Sequence, residues 1–436
     1  MAAGLGTRMK SRRAKHLHPL LGRRLVDWVI AAAQRVEPEP LVVITSPESQ
    51  AELEGTLPAG AVLAIQEEPR GTGDAAAAAG PALDGFDGDV LVLAGDAPLL
   101  SGEELENLVA THRREGAAVT VLSFETEEPG AYGRIQRDGD GRLRAIVEAR
   151  DATPEELEIH EVNSSIYVFR SDDLWSSLSG LDTDNAQGEL YLTDAVRHLA
   201  DDGQRAAVYR AQDPRVGEGV NTRADLAAAG AELRDQIVQG LMESGVTVVD
   251  PATTWIEPDV EIEADAVIHP FTVLRGRTVV RAGAEVGPHV VAVDAEIGEG
   301  ALVGPFCYLR PGTVLAGRSK AGAFVEIKNS RIGEGSKVPH LSYIGDAEVG
   351  EGTNIGAGAI TANFAHQPGR EKGRTTIGRN VRTGIHNGFE APVTIGDGAW
   401  IGGGSYITED VPPESLAVAR ARQVTKEGYL RGKRND

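Results

Sequence analysis

Two periods divide the chain. Up to about residue 225, short apolar runs alternate with helical patterns. The runs 41–45 (LVVIT), 90–96 (VLVLAGD), 118–124 (AVTVLSF) and 164–169 (SSIYVF) read as strands, and 24–36 and 101–114 read as helices. Ser101 opens the second helix with Glu104 three residues on, the spacing of a capping box. Such alternation predicts an α/β unit: a Rossmann-like, mostly parallel sheet with helices on both faces. Residues 224–243 are Ala-rich and helical, a rigid connector.

Beyond the connector the period becomes six. Ile256, Ile262, Ile268, Leu274, Val280 and Val286 form one frame, and Val291, Ile297, Val303, Leu309 and Leu315 a second. Val349 with Ile355, and Ile395, Ile401 and Ile407, give two more. A six-residue repeat with one inward aliphatic and recurrent glycine is the pattern of a parallel β-helix, each hexapeptide making one face of a triangular coil. The frame is expected to slip at 287–291, 316–331, 339–348 and 361–376, and the last of these is too long and polar to be a corner. The expected organisation is 1–223, a first catalytic domain; 224–244, a helical linker; and 245–436, a β-helix with a C-terminal tail.

Composition narrows the function. The 436 residues carry 43 Lys+Arg against 65 Asp+Glu, a formal net charge of −22. That argues against a nucleic-acid partner, which needs a basic face, but leaves room for small phosphorylated ligands. Cys307 is the one cysteine, so no intrachain disulfide forms and a cytoplasmic protein is expected. No apolar run of about 18 residues is present to span a membrane.

The candidate chemistry begins at residue 1. Gly4, Gly6 and Thr7 make a turn whose backbone N–H groups suit phosphate oxygens, with Arg8 and Lys15 as cations behind it. Gln66 is placed to read a base edge, and Gly71-Thr72 allow close backbone approach. Asp96 stands at the end of an apolar strand, where open α/β sheets bind ligands, and a carboxylate there calls for a cation such as Mg²⁺. Asn221 is a second candidate ligand, while Glu148 and Asn163 suit sugar hydroxyls.

Four motifs in order carry a family resemblance. MAAGLGTRMKSRRAKHLHPLLG (1–22) resembles LAAGxGTRMxSxxxKxLHPLxG, and GTGDA (71–75) resembles GTGHA. GDAPLL (95–100) matches GDxPLL, and NAQGELYLTD (185–194) matches NAQGEYYLTD. The chain thus resembles, over nearly its whole length, the bacterial bifunctional N-acetylglucosamine-1-phosphate uridyltransferase/glucosamine-1-phosphate acetyltransferases. The resemblance implies a nucleotidyltransferase fold followed by a left-handed parallel β-helix, and a homotrimer. It implies that UTP and N-acetylglucosamine 1-phosphate give UDP-N-acetylglucosamine and pyrophosphate, feeding cell-envelope precursors. Arg8 and Lys15 would act on the triphosphate, and Asp96 and Asn221 on Mg²⁺. Ala2, Ala3, Gly4, Gln66, Gly71, Thr72, Ala94 and Gly95 would line the nucleotide site, and Gly133, Glu148 and Asn163 the sugar site. In the family a strand precedes the phosphate loop, and Met1 stands where an internal apolar residue is usual. The expectation is a natural start roughly ten residues upstream, a strand and its lead-in, and weak uridyl transfer by the chain as numbered.

In the second half the resemblance makes His340 the general base that takes a proton from the amine of glucosamine 1-phosphate as it attacks acetyl-CoA. Arg310, Lys328, Tyr343 and Asn354 would hold the sugar phosphate, with Asn363 and Lys372 beside them, and Glu326 would orient the imidazole. Ala357, Asn363, Phe364, Ile385, Gly403 and Arg420 would line the acetyl-CoA cleft. The sequence departs from the pattern at Asp74 (histidine in the family), Ser165 (glycine), Phe364 (tyrosine) and Ile385 (a small polar residue), and by a longer loop after Asn363. Two other readings remain at this stage: a single-activity nucleotidyltransferase whose β-helix only assembles the trimer, and a non-catalytic scaffold.

Overall fold

The computed structural model describes residues 1–4, 6–364 and 372–431. The centre of the 361–376 loop lies outside them. The chain forms two compact units, Met1–Leu233 and Arg234–Asp436. Their boundary falls inside the helix Arg223–Glu243, which the sequence marks as a connector. Ala229 and Leu233, in its first half, are buried with Met9, Leu20 and Leu25, whereas Val238, in its second, joins the β-helix core.

In the first unit, Val42–Thr45 and Val62–Ile65 pair in parallel, as do Val119–Glu125 and Ala206–Arg210. The strand Glu161–Arg170 runs antiparallel to Asp89–Val92 and to Val119–Glu125. The run expected as a strand over 90–96 pairs only to Val92, and residues 94–96 leave the sheet as a loop. Ser101 caps the helix Gly102–Glu115 by accepting the Glu104 N–H at 3.2 Å. The Glu104 carboxylate instead accepts the Tyr209 hydroxyl at 2.6 Å.

Met1 and Ala2 lie between Val42–Thr45 and Asp89–Val92. Ala2 bridges Thr45 in parallel register and donates its N–H to Ile44 O at 2.7 Å, while Gly95 donates to Met1 O at 2.8 Å. Beside them an apolar cavity of about 440 Å³ continues between the two strands, lined by residues such as Val29, Ile30, Val43, Leu91 and Val92. Among the described residues no strand occupies that gap.

The second unit is the parallel β-helix that the hexapeptides predict, of the left-handed type that the family resemblance implies. Its first face runs from Thr247–Val248 to Lys337–His340 and resumes at Arg382–Thr383. Among the described residues nine strands form the second face, from Trp255–Ile256 to Tyr406–Ile407, and eight the third, from Glu261–Ile262 to Val393–Ile395. All pairs are parallel. The register corrects the sequence reading. Ala292, not Val291, fills the interior, so the first frame continues from Val286, and the slip lies between 292 and 297. Ala321 and Ile327 keep the second frame, and the next slips lie at 327–332 and 344–349. Each slip shortens the same turn, from the second face to the third, by one residue. Asp294, Asn329 and Asp346 occupy those turns with φ of 46°, 44° and 48°. Asp and Asn tolerate this left-handed region because their short side chains hydrogen-bond locally.

At the turn between the first and second faces, Phe271, His289, Phe306 and Phe324 stack as a ladder, with ring centroids 4.7, 4.7 and 5.0 Å apart. The three phenylalanines are exposed, and Leu341 continues the column one coil on.

Ile344 is fully buried in the coil interior, so Ile344→Ala is expected to destabilise the second unit by about 2–5 kcal/mol. Denaturant unfolding followed in that unit measures it.

Candidate active sites

The first site is assembled by loops. Gly6 has φ 58°, and a Cβ there would lie 2.5 Å from Lys15 Cβ, so glycine lets the phosphate loop close onto Lys15. Gly71 has φ 121° and leaves no room for a side chain, because a Cβ would meet Leu190 O at 2.4 Å. The segment carrying Leu190 clamps that turn from outside: Gly73 donates to Leu190 O at 2.8 Å and Leu192 donates to Thr72 Oγ1 at 2.9 Å. The result is a cavity of about 510 Å³. Ten of the expected residues line it: Ala2, Ala3, Gly4, Lys15, Gln66, Gly71, Thr72, Ala94, Gly95 and Asp96.

At its rim four polar side chains join. The Lys15 ammonium pairs with the Asp96 carboxylate and donates to Asn221 Oδ1 at 3.0 Å. Arg8 donates to the same Asn221 oxygen at 2.9 Å. A carboxylate and an amide oxygen therefore converge on one cation. His16, beside Lys15, is buried, and burial drops its pKa to about 4, so the imidazole is neutral.

The sugar-side residues form a separate group. Asn163 donates its N–H to Gly133 O at 2.9 Å, and a Cβ on Gly133 would lie 3.7 Å from both Asn163 Cβ and Glu148 Cδ. Glu148 accepts the Thr193 hydroxyl at 3.1 Å; burial raises its pKa against that bond. Ser165, a residue outside the expected set, links the groups: it lines the nucleotide cavity, and its N–H donates to Asn163 Oδ1 at 3.1 Å.

The second site lies on the β-helix. Arg310 donates to Glu326 Oε1 at 2.8 Å, and Lys328 lies 3.7 Å from Asp346 Oδ2. Glu326 thus holds Arg310, not the His340 imidazole as the sequence suggested. Asn363 Nδ2 lies 3.5 Å from the Tyr343 hydroxyl and also donates to Asp346. His340 ends the first-face strand Lys337–His340 with its side chain exposed. Below it Ala357, Ile385 and Gly403 form a column down one corner, joined coil to coil: Gly358 N–H to His340 O at 3.3 Å, His386 N–H to Ala357 O at 2.7 Å, and Gly404 N–H to Ile385 O at 2.7 Å. Arg420 continues it, since a Cβ on Gly404 would lie 3.7 Å from Arg420 Cδ. Asn354 is not brought to the Arg310–Lys328–Tyr343 group; it sits on the first face, bridging Lys337 and Arg382. Lys372 acts electrostatically on Asp346.

Residues 1–215 match the nucleotidyl transferase family. The Bifunctional protein GlmU of Streptomyces coelicolor is 48% identical over 455 residues, covering all of this chain and 94% of that protein. Those of Thermobifida fusca and Mycobacterium tuberculosis are each 46% identical, again over the whole chain and 94% and 92% of their own lengths. The chain belongs to the GlmU family. It is a bifunctional transferase, and the readings as a single-activity enzyme or a scaffold fall away.

The departures from the GlmU pattern have physical accounts in the first unit. Asp74 accepts from Gln66 Nε2 at 2.9 Å and from Arg70 at 2.6 Å, while Gln66 Nε2 also reaches Gly71 O at 3.1 Å. The amide N–H₂ is consumed within the loop, which leaves the carbonyl oxygen to meet a base. In the second unit Phe364 and Ile385 are simply exposed, 65% and 58%. Among the described residues no helix is long and apolar enough to cross a membrane. Ser165 stands where the GlmU pattern has glycine, at φ 62° in a strand bulge. Ser165→Gly is expected to raise the stability of the first unit by about 1 kcal/mol by relieving the left-handed conformation, read as a higher urea midpoint.

Proposed function

We propose how the two activities of this bifunctional enzyme of UDP-N-acetylglucosamine synthesis are divided among its residues. The first unit binds UTP with its triphosphate over the Ala2–Gly4 loop, and Arg8 and Lys15 neutralise the phosphates. A phosphate oxygen of N-acetylglucosamine 1-phosphate attacks the α-phosphorus, and pyrophosphate leaves. Positioning and charge neutralisation do most of this work. The Gln66 carbonyl accepts the uracil N3–H, a donor that cytosine lacks. Gly133, Glu148 and Asn163 take the sugar.

The observation that carries this reading is the convergence of Asp96 and Asn221 oxygens on the Lys15 ammonium. Hard oxygen donors already gathered around one positive charge suit Mg²⁺, which takes few protein ligands and completes its shell with waters and substrate phosphates. Asp96 and Asn221 would hold the ion, and it would supply further neutralisation of the triphosphate.

The second unit acetylates glucosamine 1-phosphate before that step. His340 accepts the amine proton as the nitrogen attacks the thioester carbonyl, and the coenzyme A thiolate leaves. Arg310, Lys328 and Tyr343 hold the sugar phosphate, with Asn354 supplied from a neighbouring copy. Asn363, Phe364 and the corner column Ala357, Ile385, Gly403 and Arg420 line the acetyl-CoA cleft. The enzyme works in the cytoplasm as a homotrimer, a reading supported by the exposed aromatic ladder and by the placing of Asn354 away from the other sugar-phosphate residues.

Asp96→Asn is expected to abolish pyrophosphate release from UTP and N-acetylglucosamine 1-phosphate and to leave acetyl transfer intact. His340→Ala should do the reverse, lowering acetyl transfer on the order of 10²–10⁴-fold, the range of a positioned general base. Loss of both activities together in a folded Asp96→Asn protein would contradict the division. Replacing Phe306 and Phe324 by Asp is expected to convert the trimer to monomer in sedimentation, and an unchanged trimer would remove the ladder from the interface.

A further inference from the structure

The turn column between the second and third faces contains one carboxylate whose bonding differs from that of its neighbours. At Asp294 the side chain caps backbone, Oδ1 accepting the Arg277 N–H of the preceding coil at 2.9 Å. Gly276 and Gly312 serve other turns of this column with φ 61° and 79° and no side chain at all. The turn itself therefore needs only a residue that tolerates the left-handed region.

Asp346 gives its carboxylate to side chains. Asn329 Nδ2, one coil before, donates to Oδ1 at 2.5 Å. Asn363 Nδ2, one coil after, donates to Oδ2, and the Lys328 ammonium stands 3.7 Å from that oxygen. The Asp346 side chain is 12% exposed. Burial opposes its ionisation, but the two amide donors and the charges of Lys328 and Lys372 outweigh burial and hold the carboxyl below its ordinary pKa. A buried anion so placed fixes the groups around it, because moving any of them strips a hydrogen bond from a charge.

We propose that Asp346 is a positioning residue of the sugar-phosphate site, its carboxylate setting the Lys328 ammonium and the Asn363 amide on either side of Tyr343 before substrate arrives. It does not touch the reacting atoms. The proposal rests on the acetyltransferase reading above. It makes a defined difference to kinetics: losing the carboxylate weakens sugar-phosphate binding while the proton transfer at His340 proceeds as before.

Asp346→Asn tests this in the full-length enzyme. Asparagine keeps the size and the left-handed preference but removes the charge and one of the two acceptor oxygens. Thiol release at saturating acetyl-CoA, with glucosamine 1-phosphate varied, is expected to show KM for the sugar phosphate raised at least about tenfold, and kcat and the KM for acetyl-CoA within about threefold of wild type. Asp294→Asn makes the same chemical change in the same column and is expected to leave all three constants unchanged. A KM within about threefold of wild type in Asp346→Asn, or an equal rise in Asp294→Asn, overturns the proposal. Should Asp346→Asn fail to fold, Asn329→Gly removes one partner of the carboxylate at a turn that glycine suits, as Gly276 and Gly312 show. A KM raised about threefold or more is then expected, and an unchanged one overturns the proposal. A wild-type enzyme that releases no thiol overturns the acetyltransferase reading itself, an outcome distinct from variants that behave like wild type.

Discussion

The C-terminal unit is placed throughout by one steric constraint: each face of a coil admits one inward side chain, and that side chain must fit a narrow apolar interior. Ile256, Leu274, Leu309, Ile327 and Ile344 stack fully buried on the second face, and Phe389 fills the same column further along, because a charged side chain would lose its hydration there. The residues between are then forced outward or into turns. Arg310, Glu326, Lys328 and Tyr343 reach the surface of one face, and His340 reaches a corner, as a consequence of where the aliphatics must point. The shortened turns follow from the same constraint. When the chain reaches the next inward position one residue early, the turn closes through a left-handed residue, and Asp or Asn supplies it.

In both candidate sites cations stand beside carboxylates. Lys15 is paired with Asp96, Arg310 with Glu326 and Lys328 with Asp346. In a chain of net charge −22, a carboxylate beside each cation holds a long side chain in one place. That lowers the ordering cost when the anion binds. Gly6 does complementary work on the backbone, since a Cβ there would meet Lys15 Cβ at 2.5 Å and keep the loop from closing onto that lysine.

The period of six made the β-helix legible, and the alternation of strand and helix patterns did the same for the first unit. The exact register was less legible. Ala292 and Ala321 fill the interior without looking like core aliphatics, and Thr361 and Thr383 are buried there too, so a frame traced through Val, Leu and Ile loses them. Asp294, Asn329 and Asp346 carried the signal for the short turns, but an acidic or amide residue in a Gly-rich repeat looks like an ordinary surface residue until the coils are stacked. The loops of the first site were readable one by one. Their convergence was not: Lys15, Asp96 and Asn221 are separated by 81 and 206 residues from Lys15, and only the sheet brings them together. Glu326 was misassigned for the same reason, since sequence proximity to His340 says nothing about which cation faces the carboxylate across a coil.

One chain carries two complementary transferase activities, the product of acetyl transfer being the substrate of uridyl transfer. The most direct measurement supplies the full-length enzyme with glucosamine 1-phosphate, acetyl-CoA, UTP and Mg²⁺ and follows free thiol and pyrophosphate together. Both are expected in equal amounts, with thiol first, and N-acetylglucosamine 1-phosphate in place of the amine is expected to give pyrophosphate without thiol. Pyrophosphate from the acetylated sugar but no thiol from the amine would contradict this.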